Sequence, residues 1–100
     1  MNGIFKDNLQ TQEATLKCLM PFVRQKRENG EMMCNAGGDE FCWTLVDLLD
    51  SDVWEDALNL SFLLCSQQEY NLHMLASNGL IEKLMSKLQI MHTMENVAIR

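Results

Sequence analysis

Residues 52–91 read DVWEDALNLSFLLCSQQEYNLHMLASNGLIEKLMSKLQIM and carry three helical patterns in succession. An apolar run at 53–65 is followed by a short segment at 69–76 and by an amphipathic stretch at 80–91. Gly79 comes just before the last stretch, and glycine adopts the backbone conformations that a sharp turn requires. These 40 residues therefore predict one supersecondary unit built from three helices.

A weaker version of the same pattern lies 42 residues earlier in the chain, and no gap is needed to align the two. The matching pairs are Glu13 and Glu55, Leu16 and Leu58, Gln25 and Gln67, Asn29 and Asn71, Met32 and Met74, Gly37 and Gly79, and Glu40 and Glu82. Periods of roughly 40 to 47 residues are typical of two- and three-helix repeats. The sequence therefore predicts an all-α chain made of tandem repeats. The predicted divisions are an N-terminal tail at 1–8, a first repeat at 9–50, a second at 51–92 and the start of a third at 93–100.

Three stretches resemble the armadillo repeat family. They are ENGEMMCNAGGDEFCWTLVDLLDSD at 28–52, EDALNLSFLL at 55–64 and EYNLHMLASNGLIEKLMSKL at 69–88. The resemblance extends over residues 11–91 and implies an α-solenoid fragment, in which units of one short and two longer helices stack into a right-handed superhelix. The alternative is a small helical bundle that closes on itself.

The repeat pattern assigns particular residues to the packing between helices. Small side chains suit the points where helices approach closely, larger ones fill the layer beside them, and glycines allow the change of direction. The small residues are Thr15 and Ala57, the larger ones are Leu16 and Leu58, and the hinge glycines are Gly37 and Gly79.

Peptide-binding members of the armadillo family carry an Asn ladder and often a Trp array, and this chain departs from both. The ladder positions fall at Pro21 and Leu63, and the Trp positions fall at Lys17 and Asn59. The resemblance therefore does not imply that this chain clamps an extended peptide backbone.

Three local features are expected along the chain. Pro21 should end or kink the first helix, because proline removes a backbone donor and clashes with the preceding turn. The polar run at 24–31 is interpreted as a solvated turn around Gly30. Asp52 with Glu55 three residues later is typical of a capping box, with Asp in the place of Ser or Thr.

Composition excludes several classes of partner. The formal net charge is −6 and the pI is near 4.7, whereas binding to nucleic acid or to an anionic membrane surface needs clustered Lys and Arg. The sequence contains neither an apolar run long enough to span a membrane nor a signal-peptide pattern. All four cysteines fall inside helical patterns, which favours free thiols in a reducing compartment. An intracellular protein, cytoplasmic or nuclear, is expected.

An enzyme is not expected. The adjacent carboxylates Asp39 and Glu40, like Asp50 and Asp52, lie at predicted helix boundaries, where capping explains them. The cysteine spacings contain no close pair that would seat zinc, so no metal or cofactor is predicted. A third hypothesis is a hydrolase or redox protein that uses Cys34 or Cys42.

The function expected from these features is a non-enzymatic scaffold that binds a protein partner through a helical face. Trp43, Trp54, Met91 and Met94 are the candidate contact residues, since Trp is enriched at binding hot spots and Met-rich surfaces adapt to partners. The alternative is a structural bundle or a self-associating module without a peptide groove. Two repeats are fewer than the three usually needed for stability. We therefore expect a short isoform, an excerpt of a longer protein, or a chain whose open repeat ends must be covered by self-association or by a partner.

Overall fold

The computed structural model describes the backbone of residues 9–99 and the side chains of residues 10–93. Five α-helices and one 3₁₀ turn account for most of this range. They are α1 (Leu9–Gln25), α2 (Arg27–Asp47), the 3₁₀ turn (Leu48–Asp50), α3 (Trp54–Gln67), α4 (Glu69–Ser77) and α5 (Leu80–Ile99). Residues 9–99 contain no β-strand, so the all-α prediction is confirmed. In the same range, no helix has both the length and the apolarity that crossing a membrane would require.

Two single-residue breaks separate consecutive helices, and they lie 42 positions apart. Lys26 has φ −148° and ψ 139°, and Gln68 has φ −144° and ψ 134°, so one extended residue interrupts the chain at each place. Below, residues 9–50 are called the first unit and residues 51–92 the second unit. The counterpart of a residue is the one 42 positions away in the other unit.

An asparagine stabilises each of these breaks through the same pair of hydrogen bonds. Asn29 Nδ2 donates to the Phe22 carbonyl oxygen at 2.8 Å, and its backbone N–H donates to the Lys26 carbonyl at 3.1 Å. The counterpart Asn71 donates to Leu64 and to Gln68, each at 3.1 Å. The carbonyls of Phe22 and Leu64 lie in the last turn of a helix, where backbone donors run out, and the Leu64 carbonyl accepts one further hydrogen bond from the Gln68 N–H at 3.4 Å. An asparagine side chain therefore donates a hydrogen bond to a carbonyl at the end of the preceding helix in both units.

The glycine hinge of the first unit is one residue later than the sequence pattern predicts. Gly38 has φ +62° and divides α2 internally, while Gly79 has φ +97° and separates α4 from α5. Gly37 does not adopt a positive φ, and its assignment as the hinge is therefore corrected. Either of two adjacent glycines can make such a turn, and sequence alone does not distinguish them.

The expected solvated turn around Gly30 is wrong. Only Lys26 interrupts the helices there, and Gly30 is a buried residue inside α2. A Cβ placed on Gly30 would lie 2.9 Å from Leu64 Cδ2 and 3.0 Å from Gln67 Oε1. The charged and polar side chains at 24–28 and at Glu31 are exposed to solvent, and this exposure explains the polar run in the sequence. Pro21 is exposed within α1, which continues to Gln25 instead of ending at Met20.

The expected capping box at the start of α3 is also absent. The N-cap is Val53, and no side chain caps the helix there. Ser51 instead organises the preceding turn, because its hydroxyl accepts a hydrogen bond from Val53 N at 3.2 Å and donates to the Leu48 carbonyl at 2.6 Å. The helix therefore begins one residue later than the spacing of Asp52 and Glu55 predicts, and Asp52 is not its N-cap.

The hydrophobic core lies where α2 packs against α1, α3 and α4. Its fully buried side chains include Leu16, Val23, Cys34, Cys42, Leu45, Leu49, Ala57, Leu60, Leu64 and Leu75. Leu58, the counterpart of Leu16, is only half-buried and packs at the margin of this core. The core thus sits between the two units and is not centred within either one.

Helix α5 packs mainly against α4 and continues to Ile99 without a break. Residues 93–99 are therefore a continuation of α5, and no separate helix begins at Thr93. The assignment of 93–100 to a third repeat stays a prediction.

Candidate interaction surfaces

The junction between the two units combines apolar packing with side-chain to backbone hydrogen bonds. Gln67 Nε2 donates to the Val23 carbonyl at 2.9 Å, and Arg27 donates to the Gln67 carbonyl through Nε at 3.1 Å and Nη2 at 2.5 Å. These bonds tie the end of α3 to the break between α1 and α2. The junction therefore fixes the position of one unit on the other.

Side chains at the far end of the second unit are exposed although their counterparts in the first unit are covered. Val46 is 3% exposed and Leu49 0%, whereas their counterparts Leu88 and Met91 are both 64% exposed. Leu88 and Met91 lie three residues apart on α5 and are therefore neighbours on its surface. The difference follows from position, because α2 packs against α3 and α4 whereas α5 packs mainly against α4.

The same comparison extends to α3. Leu58 is half-buried and Phe62 is exposed, whereas their counterparts Leu16 and Met20 are buried and half-buried, respectively. Leu58 and Phe62 are one helical turn apart. We call Leu58, Phe62, Leu88 and Met91 the C-terminal face.

The outer side of the first unit has the converse property. Leu64 is 0% exposed where α3 packs against α1 and α2, and its counterpart Phe22 on α1 is 41% exposed. Cys18, one turn before Phe22, is exposed, while its counterpart Leu60 is buried. On α2, Met32 is exposed and its counterpart Met74 packs against the core. We call Cys18, Phe22 and Met32 the N-terminal face.

A shallow groove of about 430 Å³ runs along α1 beside the N-terminal face. It is lined by Gln10, Thr11, Ala14, Thr15, Cys18 and Leu19. Within α3, the counterparts of Thr15, Cys18 and Leu19 are Ala57, Leu60 and Ser61, and all three are fully buried at the internal junction. The groove therefore occupies the surface that, one unit later, is used for packing.

Trp43 belongs to neither face. It is 58% exposed in a unit that is already covered by the next one, and its counterpart Met85 is 65% exposed as well. Trp43 and its counterpart Met85 therefore both face solvent, whether or not another unit packs against their own unit. This makes Trp43 a suitable control for substitutions on the two faces.

The other residues predicted to contact a partner lie in different places. Trp54 is exposed at the start of α3, and Met91 lies on the C-terminal face. The side chain of Met94 is outside the described residues. Sequence reasoning missed Phe22, Phe62 and Leu88, and the signal that could have found them is an apolar residue whose counterpart must be covered.

Two lysines on α5 connect this helix to the first unit. Lys83 forms an ion pair and hydrogen bond with Asp50, and Lys87 lies 3.3 Å from the same carboxylate. The hydrogen bond from Lys83, reinforced by Lys87, lowers the pKa of Asp50 despite some desolvation. Lys83 and Lys87 are the counterparts of Phe41 and Leu45, so ion pairing replaces apolar packing at this point of the second unit.

The cysteines proposed as nucleophiles are inaccessible. Cys34 and Cys42 are both fully buried, and contact with the Cys42 thiol together with burial raises the pKa of Cys34. Burial also raises the pKa of Cys65, whereas Cys18 is exposed. Among the residues that the structure describes, no three His, Cys, Asp or Glu side chains are placed to hold a metal ion.

The positions of the family's Asn ladder carry no amide side chain, and its Trp positions carry no indole, since Asn59 is exposed at one of them and Lys17 occupies the other. Lys17 is paired with Glu13 at 2.6 Å on α1, Pro21 is exposed, and Leu63 packs partly against the core. No family model matches the chain, nor does any curated protein or solved structure.

Proposed function

We propose that the chain is a non-enzymatic protein–protein interaction module, built as an armadillo-like α-solenoid fragment, that binds a protein partner through its C-terminal face. The observation that carries this proposal is the exposure of Leu88 and Met91 at positions whose counterparts, Val46 and Leu49, are almost completely buried. A stacked neighbour would cover these apolar side chains. Their exposure supports the binding of another protein to this face, since clustered exposed apolar surface is typical of interaction sites.

Local structure supports the division into stacking units. The extended residues Lys26 and Gln68, and the side-chain bonds of Asn29 and Asn71, recur at the same offset. In a solenoid, each unit contacts only its neighbours, so the last unit keeps one side uncovered. An uncovered apolar side is what a binding module of this type offers to a partner.

Affinity capture from cell extract with three baits tests the proposal. The baits are the wild-type chain, Leu88→Glu and Trp43→Glu. We expect a protein that is retained by the wild type and by Trp43→Glu and is lost with Leu88→Glu. Binding would bury the new carboxylate on the C-terminal face without an opposite charge or a hydrogen-bond donor, which is unfavourable. Direct binding of that protein, once purified, to the three chains must follow the same order. Retention that is equal for all three chains would contradict the proposal.

A further inference from the structure

The internal junction shows how the N-terminal side of one unit covers the C-terminal side of another. Helix α3 buries Leu60 and Leu64 against α1 and α2. Helix α1 presents the counterparts of these residues, Cys18 and Phe22, on an exposed surface. A single chain therefore carries both halves of one kind of contact, with one half at each end.

Charge favours contact at these two faces over contact elsewhere on the molecule. Two copies of a chain with a net charge of −6 repel each other in general. None of the six residues that line the groove on α1 is charged, and none of the four on the C-terminal face is charged. The lysines beside the C-terminal face, Lys83 and Lys87, share the single carboxylate of Asp50, so the three groups together keep one positive charge. Charged side chains do lie beside the N-terminal face, with Arg24 next to Phe22 and with Glu28 and Glu31 next to Met32. The proposed contact therefore buries the uncharged residues and keeps these charges at its edge.

We propose that the occupant of the C-terminal face is the N-terminal face of a second copy of this chain, arranged head to tail. Helix α1 of the second copy takes the place that α3 takes on the first unit. This proposal rests on the proposed function and names its partner. A head-to-tail contact leaves one face open at each end of the assembly, so association continues beyond the dimer unless the geometry closes a ring.

One difference between the units makes this contact weaker than the internal junction. The internal junction packs closely on Gly30, since a Cβ there would lie 2.9 Å from Leu64 Cδ2 and 3.2 Å from Asn71 Nδ2 and would force these side chains to shift. The counterpart of Gly30 is Leu72, which is exposed. Its side chain keeps α4 from approaching the second copy as closely as α2 approaches α4. The contact between copies therefore rests on α3 and α5, and it is reversible and concentration-dependent.

Sedimentation equilibrium of the full chain over a wide concentration range tests the proposal. The samples are the wild type, Phe22→Glu on the N-terminal face, Leu88→Glu on the C-terminal face, and Trp43→Glu as the control with similar exposure. All three substituted positions are exposed, so the helical content measured by circular dichroism should be unchanged. Met91→Glu is a second variant of the C-terminal face, and its result is used if Leu88→Glu alters the helical content.

We expect the average mass of the wild type and of Trp43→Glu to rise with concentration beyond that of a dimer. Phe22→Glu and Leu88→Glu should each remain monomeric. An equimolar mixture of these two variants should form dimers and nothing larger, because each contributes one intact face.

Three results would overturn the proposal. They are a wild type that stays monomeric throughout, association of Phe22→Glu equal to that of the wild type, and loss of association in Trp43→Glu. The second result would mean that the N-terminal face takes no part in the association. Each of these results leaves the capture experiment with Leu88→Glu unaffected, so failure of this proposal is distinguishable from failure of the proposed function.

Discussion

Gly30 lies where the two units touch, and the space beside it is already filled. Leu64, Gln67 and Asn71 all approach the position that a Cβ would occupy. Glycine in a helix interior costs about 1 kcal/mol relative to alanine, so its presence inside α2 is explained by the close approach of α3 and α4. Leu72, at the same position in the second unit, is exposed and meets no such restriction.

Substitution of Gly30 by alanine should reduce stability. Overpacking costs about 1–3 kcal/mol and is offset only in part by a gain of about 1 kcal/mol in helix propensity. Chemical denaturation of Gly30→Ala should therefore give a lower free energy of unfolding than the wild type. The control is Glu31→Ala, the adjacent exposed position on the same helix, which should lie within about 0.5 kcal/mol of the wild type. A Gly30→Ala variant as stable as Glu31→Ala would show that the junction tolerates a side chain.

At the scale of helices, the sequence predicts existence and type better than boundaries. The three helices after Ser51 begin within one residue of the predicted segments, because each has a strong apolar period and a glycine or a polar break beside it. The last of them extends beyond its predicted end at residue 91 and continues to Ile99. The first unit is less predictable. Gly30 suggests a turn in sequence, and only the packing of Leu64 against it explains why it lies inside a helix.

The candidate surfaces are less accessible to sequence reasoning than the helices. Whether Leu88 is covered depends on which helix lies beside α5, and an apolar stripe looks the same in both cases. The periodicity of Leu80, Leu84 and Leu88 is typical of a buried face, yet Leu80 is buried and Leu88 is exposed. Only the comparison with counterparts in the first unit reveals the difference.

Leu16 and its counterpart Leu58 differ in burial, so their substitution should differ in its effect on stability. Leu16→Ala should lower the free energy of unfolding by about 2–5 kcal/mol, the cost of a buried cavity. Leu58→Ala should cost clearly less, because the side chain is half-buried and has less packing to lose. Thermal or urea unfolding of the two variants at a concentration where the chain is monomeric measures the difference. Equal losses would mean that the second unit is as enclosed as the first.

The ion pairs of Asp50 predict how pH acts on the attachment of α5. The pKa of Asp50 is lowered in the folded chain, so its contribution to stability is present at neutral pH. That contribution is lost as pH falls below about 4, through the lowered pKa. Since the carboxylate is about half-exposed, the contribution should be less than about 1 kcal/mol.

Asp50→Asn tests this contribution. The variant should unfold at a lower temperature than the wild type at pH 7, and the two midpoints should converge as the pH falls through the lowered pKa of Asp50 and the wild-type carboxylate becomes protonated. A midpoint difference that persists unchanged at low pH would mean that the ion pairs are not its cause.

For the whole molecule, the two units play unequal parts. The buried core lies between them, and both of its outer sides expose side chains whose counterparts are covered. The molecule measures 47 × 30 × 22 Å along its principal axes, and α5 ends it on one side. A stack with open ends and a closed bundle differ most in how firmly this last helix is held.

Native-state hydrogen exchange of the monomeric chain distinguishes a stack with open ends from a closed bundle. The Phe22→Glu variant is used if the wild type associates. In a stack with an open end, amides at 41–49 exchange only near the free energy of global unfolding. Their counterparts at 83–91 exchange through local opening at a clearly lower free energy. The account predicts this difference between counterpart positions. Equal protection of 41–49 and 83–91 would contradict it and would favour a bundle that closes on itself.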